Sequence, residues 1–252
     1  MSEILCGKNP VTEAIKAGAT FEKIYIVRNQ KRGQIESLTS LARREKIKIE
    51  FVSRQRLAEI TGEHNPRGVA GMMQAQPYAG IQDILNIGHK KEEPAFVVLL
   101  DNIQDPHNLG AIIRSADGAG AHGILIPKKR SVGLTGTVAK TSAGASAHVA
   151  VARVSNLNYT IDQLKEQNIW FIGADAEGEQ SYTEVELTGP VGLVIGSEGY
   201  GLHRLVREKC DFLVRIPMYG KVNSLNASVA AGLLMFEVRR QRESMARDKT
   251  EE

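Results

Sequence analysis

Two stretches of this chain, Ala95-Phe-Val-Val-Leu-Leu100 and Val191-Gly-Leu-Val-Ile195, carry no polar side chain over the full length of a strand. A strand with one wet face alternates between polar and apolar residues. One without polar side chains must be covered on both faces, as in a parallel sheet layered between helices. Gly123-Ile-Leu-Ile-Pro127, residues 149–154 and Ile169-Trp-Phe-Ile172 read as further strands. Helices are expected over 109–118, with Asn108 as N-cap, within 132–146 and over 156–167. Alternation at this spacing predicts an α/β fold with a parallel sheet. A last strand runs from Phe212 to Ile216 and is stopped by Pro217. The helix expected from Asn226 to about Arg240 places Val229, Leu233 and Phe236 at i, i+4 and i+7, which predicts its buried face.

The first third reads as a separate, smaller unit. Lys23-Ile-Tyr-Ile-Val27, residues 47–52 and residues 69–74 are strand-like, with helices expected over 33–46 and, capped by Ser53, over 54–60. Asn65-Pro-Arg-Gly68 is a turn. Residues 77–93, rich in turn formers and charge, read as a linker. Residues 1–76 hold six Lys and seven Arg against eight Glu and no Asp, a net of +5 in a chain of net +3. Such a bias points to a polyanionic partner.

Three loops follow three strands, at 101–108, 196–201 and 217–226. Ligands of parallel α/β sheets bind at the carboxyl ends of strands. If the strands are neighbours, one pocket holds Asp101, Asn108, Arg114, Glu198, Ser224 and Asn226. The last loop crowds Asn223, Ser224, Asn226 and Ser228 onto a helix N-terminus, more polar groups than one cap requires.

Familiar alternatives do not fit. Gly196-Ser-Glu-Gly-Tyr-Gly201 is not GxGxxG, and the chain contains no GxxxxGK[ST]. Ser197 does not lie in GxSxG, so no hydrolase-type nucleophile is signalled. Cys6 and Cys210 form no CxxC pair and the six His are scattered, so neither a disulfide framework nor a metal site is expected. No apolar run reaches the roughly 18 residues of a membrane span, and the N-terminus lacks a signal pattern, so a cytoplasmic protein is expected.

Asp105-Pro-His-Asn-Leu-Gly-Ala-Ile-Ile-Arg-Ser-Ala-Asp117, Leu193-Val-Ile-Gly-Ser-Glu-Gly-Tyr-Gly-Leu202 and Ile216-Pro-Met218 with Asn223-Ser-Leu-Asn-Ala-Ser228 resemble, in order, the three motifs of the SpoU (TrmH-type) RNA ribose methyltransferases of the SPOUT superfamily. The basic first unit resembles that family's small, ribosomal-protein-like substrate-binding domain. The combination is most similar to enzymes that methylate a guanosine ribose in bacterial large-subunit (23S) rRNA. The resemblance implies an RNA-binding domain over 1–76, the linker, and a methyltransferase domain over 94–252 with a deep trefoil knot. It also implies S-adenosylmethionine as cofactor and a homodimer. Gly196, Ile216 and Leu225 match positions whose main chain holds the cofactor. Asn108, Arg114, Glu198, Ser224 and Asn226 match the polar catalytic positions. Arg28, Arg32, Arg43 and Arg44 are the candidates for RNA contact.

A ribose 2′-hydroxyl attacking an activated methyl needs alignment above all. Arg114, charged at any ordinary pH, would grip a phosphate and stabilise developing alkoxide. The proton would leave late, to water or to Glu198. Two other readings stay open at this level: a base methyltransferase or a tRNA-directed ribose methyltransferase of the same superfamily, and an RNA-binding protein without catalysis.

Overall fold

A computed structural model describes residues 3–16, 19–28, 30, 32–62, 67–73 and 77–251. The chain divides into two compact units: residues 1–77 with 134–144, and residues 78–133 with 145–252.

In the first unit β1 (Glu3–Cys6), α1 (Lys8–Lys16), β2 (Phe21–Val27), α2 (Arg32–Arg44), β3 (Lys48–Val52), α3 (Arg54–Thr61) and β4 (Val69–Met73) follow in order. The sheet order is β1-β4-β2-β3. β2 pairs parallel with β3, while β4 runs antiparallel to both β1 and β2. β2 is covered on both faces. Ile24 and Ile26 pack with Val11, Ile15 and Leu38 of α1 and α2, and Tyr25 packs with Leu57 of α3 on the other side. Ser53 caps α3 as expected, its side chain accepting from Arg56 N at 3.1 Å. β1 and α1 were not expected, because four residues, Glu3-Ile-Leu-Cys6, are too short for a period to show. The turn expected at 65–68 lies partly outside the described residues.

The second unit opens with a correction. Residues 77–93 are not a linker: α4 (Ile81–Lys91) occupies most of them. Ile84 and Leu85 are buried in the core with Val97, Leu99, Ile161 and Phe171. Ile81, Ile84, Leu85 and Gly88 keep helical spacing. The interleaved Asp83, Asn86 and closing Lys-Lys-Glu-Glu run hid it.

There follow β5 (Phe96–Leu100), α5 (Pro106–Ala119), β6 (Gly123–Pro127), α6 (Gly136–Thr141, within the segment grouped with the first unit), β7 (Ala150–Val154), α7 (Leu157–Lys165), β8 (Trp170–Ala174), β9 (Gln180–Ser181), β10 (Val191–Ile195), α8 (Arg204–Lys209), β11 (Phe212–Arg215) and α9 (Ala227–Glu251). The strands form one parallel sheet in the order β7-β6-β5-β10-β8-β11-β9. Every residue of β5 and β10 is buried, as their composition demands. Val97 and Leu99 face the α4–α7 side, so by the two-residue period Phe96, Val98 and Leu100 face the other. There α5 and α9 pack on each other, and α9 on β10.

Two expectations fail here. The N-cap of α5 is Asp105, whose carboxylate accepts from His107 N at 2.9 Å, with Pro106 in the first turn. Asn108 is therefore inside the first turn, and its amide is left for other work. The buried face of α9 is Ala227, Ala231, Leu234, Met235 and Val238, whereas Val229, Leu233 and Phe236 are 39–51% exposed. Both stripes have helical spacing. The buried stripe sets the small Ala227 and Ala231 beside the larger Leu234 and Met235, and α9 packs with it on α5 and β10.

Candidate active site

β5 and β10 are adjacent and parallel, and β10 is followed by β8 and β11, so the loops after β5, β10 and β11 open on the same edge. The loop after β10 is a tight reversal. Ser197 N donates to Gly201 O at 3.1 Å and Gly201 N returns to Ser197 O at 2.9 Å. Gly199 and Gly201 take φ of +82° and +63°, a region that favours glycine. A Cβ on Gly196 would stand 2.2 Å from the carbonyl carbon of Gly201, so only glycine fits. This reversal presents Glu198 outward.

Glu198 is the hub of the site. Its Oε1 accepts from Asn108 Nδ2 at 3.0 Å, from Asn226 Nδ2, and more weakly from Ala227 N at 3.4 Å. Asn226 Nδ2 also donates to Asn108 Oδ1 at 2.9 Å. The other end of the Asn226 amide caps α9, with Oδ1 accepting from Ser228 N at 2.9 Å, Ser228 Oγ at 2.6 Å and Val229 N at 3.3 Å. Three side chains separated by up to 118 residues are thus locked together. The carboxylate sits at the positive ends of α5 and α9, where helix dipoles favour an anion.

The remaining candidates are placed as follows. Gly196 is buried, and Ile216 and Leu225 are half-buried in the flanks of the loops. Ser224 is exposed, and residues 218–225 make no hydrogen bond among the described residues, so their main-chain donors are uncommitted. Ser197 Oγ is buried without a partner. Arg114 is exposed and forms no ion pair among the described residues, Asp117 included. It lies six residues beyond Asn108 on α5, about 9 Å along the axis and roughly 240° around it, so it does not join the network.

Asp101 leaves the candidate pocket. It is 5% exposed, and its carboxylate accepts from His203 N at 2.7 Å and meets His203 Nδ1 at 2.9 Å. It ties the loop after β5 to the start of α8. This positioning pair was missed, since nothing in the spacing of two residues 102 apart links them. Of the first-unit arginines, Arg28 and Arg43 are exposed, Arg28 Nε donates to Phe51 O, and Arg44 pairs with Glu45 at 3.0 Å. The Arg32 side chain lies outside the described residues. Among the described residues no cluster of His, Cys, Asp or Glu could hold a metal, and no helix is long and apolar enough to cross a membrane.

A parallel α/β unit with a polar network at its strand ends, preceded by a small mixed-sheet unit, is matched by two family models. The SpoU rRNA methylase family covers residues 95–236, and the RNA 2′-O ribose methyltransferase substrate-binding family covers residues 4–79. The chain belongs to the SpoU rRNA methylase family. Among individual proteins it is 48% identical to YacO of Bacillus subtilis (strain 168), named for the TrmH family of tRNA/rRNA methyltransferases, over 95% of this chain and 96% of that one. It is 45% identical to a Staphylococcus haemolyticus (strain JCSC1435) protein so named, with the same coverage. The SpoU methyltransferase AviRb of Streptomyces viridochromogenes, solved in complex with AdoMet, superposes with a TM-score of 0.69 at 26% identity, covering 96% of this chain and 91% of AviRb. An AdoMet-bound rRNA methyltransferase of Sinorhizobium meliloti gives 0.61 at 26% identity, covering 95% and 87%.

Proposed function

We infer that this chain transfers the methyl group of S-adenosylmethionine to the ribose 2′-hydroxyl of a nucleotide in structured RNA, a guanosine of 23S rRNA, in the cytoplasm. The observation that carries this reading is the Asn108–Glu198–Asn226 network, which joins one residue from each of the three motif segments. Family membership and AdoMet-bound relatives of similar fold support the cofactor. The loops suit it: the uncommitted main-chain donors of 218–225 and the unpartnered Ser197 Oγ are groups that a polar ligand satisfies. Gly196, Ile216 and Leu225 would hold it through main-chain groups. When bound, the cofactor supplies an already activated methyl group on a sulfonium.

The chain's own residues then have to align and stabilise. Asn108, Glu198 and Asn226 fix the loops relative to one another, and Ser224 orients the ribose. With Glu198 Oε1 engaged by its donors, the hydroxyl proton passes late, to water or to the second Glu198 oxygen. Arg114, exposed and without an ion pair, is the charge for a neighbouring phosphate and for developing alkoxide. The exposed stripe Val229, Leu233 and Phe236 on α9 supports a homodimer in which a second copy covers it. We also assign a trefoil knot to the loops after β10 and β11, and a ribosomal-protein-like RNA-binding role to the first unit through Arg28, Arg32, Arg43 and Arg44.

The test uses tritiated S-adenosylmethionine with deproteinised 23S rRNA and, separately, bulk tRNA. A 2′-O-methyl group removes the nucleophile of alkaline cleavage, so label in alkali-resistant dinucleotides marks ribose methylation. Label in mononucleotides would mean base methylation, and label confined to tRNA would move the substrate. Arg114→Ala should abolish transfer while leaving cofactor affinity within about threefold, and Arg114→Lys should recover little because the planar fork is lost.

A further inference from the structure

Between residues 118 and 161 the chain has five Lys or Arg and no Asp or Glu. Three of these cations are consecutive: Lys128, Lys129 and Arg130, all exposed, immediately after β6. None of them forms an ion pair among the described residues. The loop is nevertheless built rather than merely solvated. Lys128 N donates to Val154 O at 2.8 Å, and Arg153 Nη2 on β7 donates to Lys128 O at 2.8 Å. The Arg153 guanidinium is itself steadied over the Tyr78 ring, 5.2 Å from the centroid. Arg130 takes φ of +60°, a left-handed conformation costly for a long side chain. Past it, Val132 N donates to Ile103 O at 3.0 Å, which fastens this loop to the one that leads into Asn108.

Holding like charges together in an ordered loop costs energy that an anion would recover. Three consecutive exposed cations with no acid offsetting them fit a line of phosphates better than a single phosphate ion. We propose that Lys128, Lys129 and Arg130, backed by Arg153, form a second RNA-backbone contact on the methyltransferase unit, beside the nucleotide held at the Asn108–Glu198–Asn226 site. This rests on the reading that the substrate is RNA, and adds that recognition does not lie in the first unit alone.

The decisive variant is Lys128→Gln/Lys129→Gln/Arg130→Asn, since Asn tolerates the left-handed conformation. It and the wild type are titrated with deproteinised 23S rRNA at several KCl concentrations, with S-adenosylmethionine affinity by calorimetry as the control for an intact unit. Each lost phosphate contact lowers the slope of log affinity against log salt by roughly 0.7–0.9. Loss of two contacts should flatten it by about 1.4–1.8, or roughly 25- to 60-fold in affinity at 0.1 M salt. The KM for RNA should rise in parallel, with cofactor affinity kept. If the variant keeps the wild-type slope while the wild type binds and methylates RNA, this assignment alone is wrong, as it would be if the loop served an acidic protein. A wild type that binds no RNA would overturn the functional reading with it. Should cofactor affinity also be lost, single Lys128→Gln and Lys129→Gln variants decide, and wild-type slopes in both would refute the contact.

Discussion

Arg242 should be the costliest polar side chain to remove from the second unit. It is 8% exposed on α9 and donates from Nη1 to Pro94 O at 2.9 Å, and from Nη2 to Ala95 O at 3.0 Å and Gly189 O at 2.7 Å. Its guanidinium lies 5.3 Å from the Phe96 ring centroid. It therefore clamps the C-terminal helix to the segments that enter β5 and β10. Three charge-assisted hydrogen bonds of good geometry are worth at most roughly 5–9 kcal/mol. Burial opposes them: it pulls this guanidinium down to about 10 and leaves Nε without a partner. Ala95 O keeps a second donor in Val191 N, and the exposed Pro94 can be hydrated, which trims the loss further. Arg242→Met should then cost about 2–4 kcal/mol, or roughly 5–15 °C in the melting temperature of a unit this size. Urea unfolding followed by tryptophan fluorescence isolates the effect, because the single Trp of the chain, Trp170, lies on β8 of the same unit. Arg242→Lys should recover little, since one ammonium cannot reach three carbonyls in a planar fork. A Met variant within 0.5 kcal/mol of wild type, or a Lys variant equal to it, would refute the clamp.

Three further outcomes are expected. Gly196→Ala should abolish cofactor binding measured by calorimetry while the first unit keeps its far-ultraviolet signal, because the added Cβ collides with main chain that cannot yield; near-normal binding would show that the reversal at 196–201 can open. His122, 1% exposed, accepts from Phe96 N at Nδ1 and faces Glu93 at Nε2, and burial pulls it below its ordinary 6.5 although Glu93 opposes. The unfolded chain therefore holds more protons than the native one just below pH 6.5, and stability should fall as pH drops from there towards the folded value, by at most about 1.4 kcal/mol per unit. His122→Asn, which keeps an acceptor for Phe96 N, should flatten urea midpoints between pH 7 and 5; an unchanged pH profile would count against the assignment. The Cys210 thiol, half-buried and pushed up to about 12 by desolvation, should react more slowly with iodoacetamide at pH 8 in the native protein than in urea, as peptide mass spectrometry would show; equal rates would contradict the shift.

What was legible in the sequence follows from how tightly each feature constrains its residues. A strand buried on both faces leaves no position for a polar residue, so β5 and β10 could be read from composition alone. The site was legible for a related reason. Glu198, Asn108 and Asn226 sit in segments where glycine, proline and small amides are dictated by main-chain geometry, and those segments carry the motif. Arg114 is legible as a motif position but not as geometry, because it forms no ion pair among the described residues and does not join the network. The linker at 77–93 failed on local composition: a helix that buries only Ile84, Leu85 and Gly88 has three polar faces and resembles a charged connector.

The α9 error is the most informative, because the helix is apolar on two sides. The buried stripe (Ala227, Ala231, Leu234, Met235 and Val238) and the exposed one (Val229, Leu233 and Phe236) are both apolar with helical spacing, so the period alone does not choose between them. Within one chain α5 packs on α9, and the half-exposed Phe236 reaches it at Gly118, where a Cβ would stand 3.3 Å from Phe236 Cζ. The large stripe is then left at the surface, beginning at Val229, whose own N–H is capped by Asn226. This exposed stripe runs from one to about three turns beyond Asn226, and exposed apolar patches of this kind mark surfaces that make contacts. The same helix thus carries one apolar face buried in this chain and one exposed, and its sequence records both with the same period. A hydrophobic period identifies surfaces that are to be covered; it does not identify what covers them.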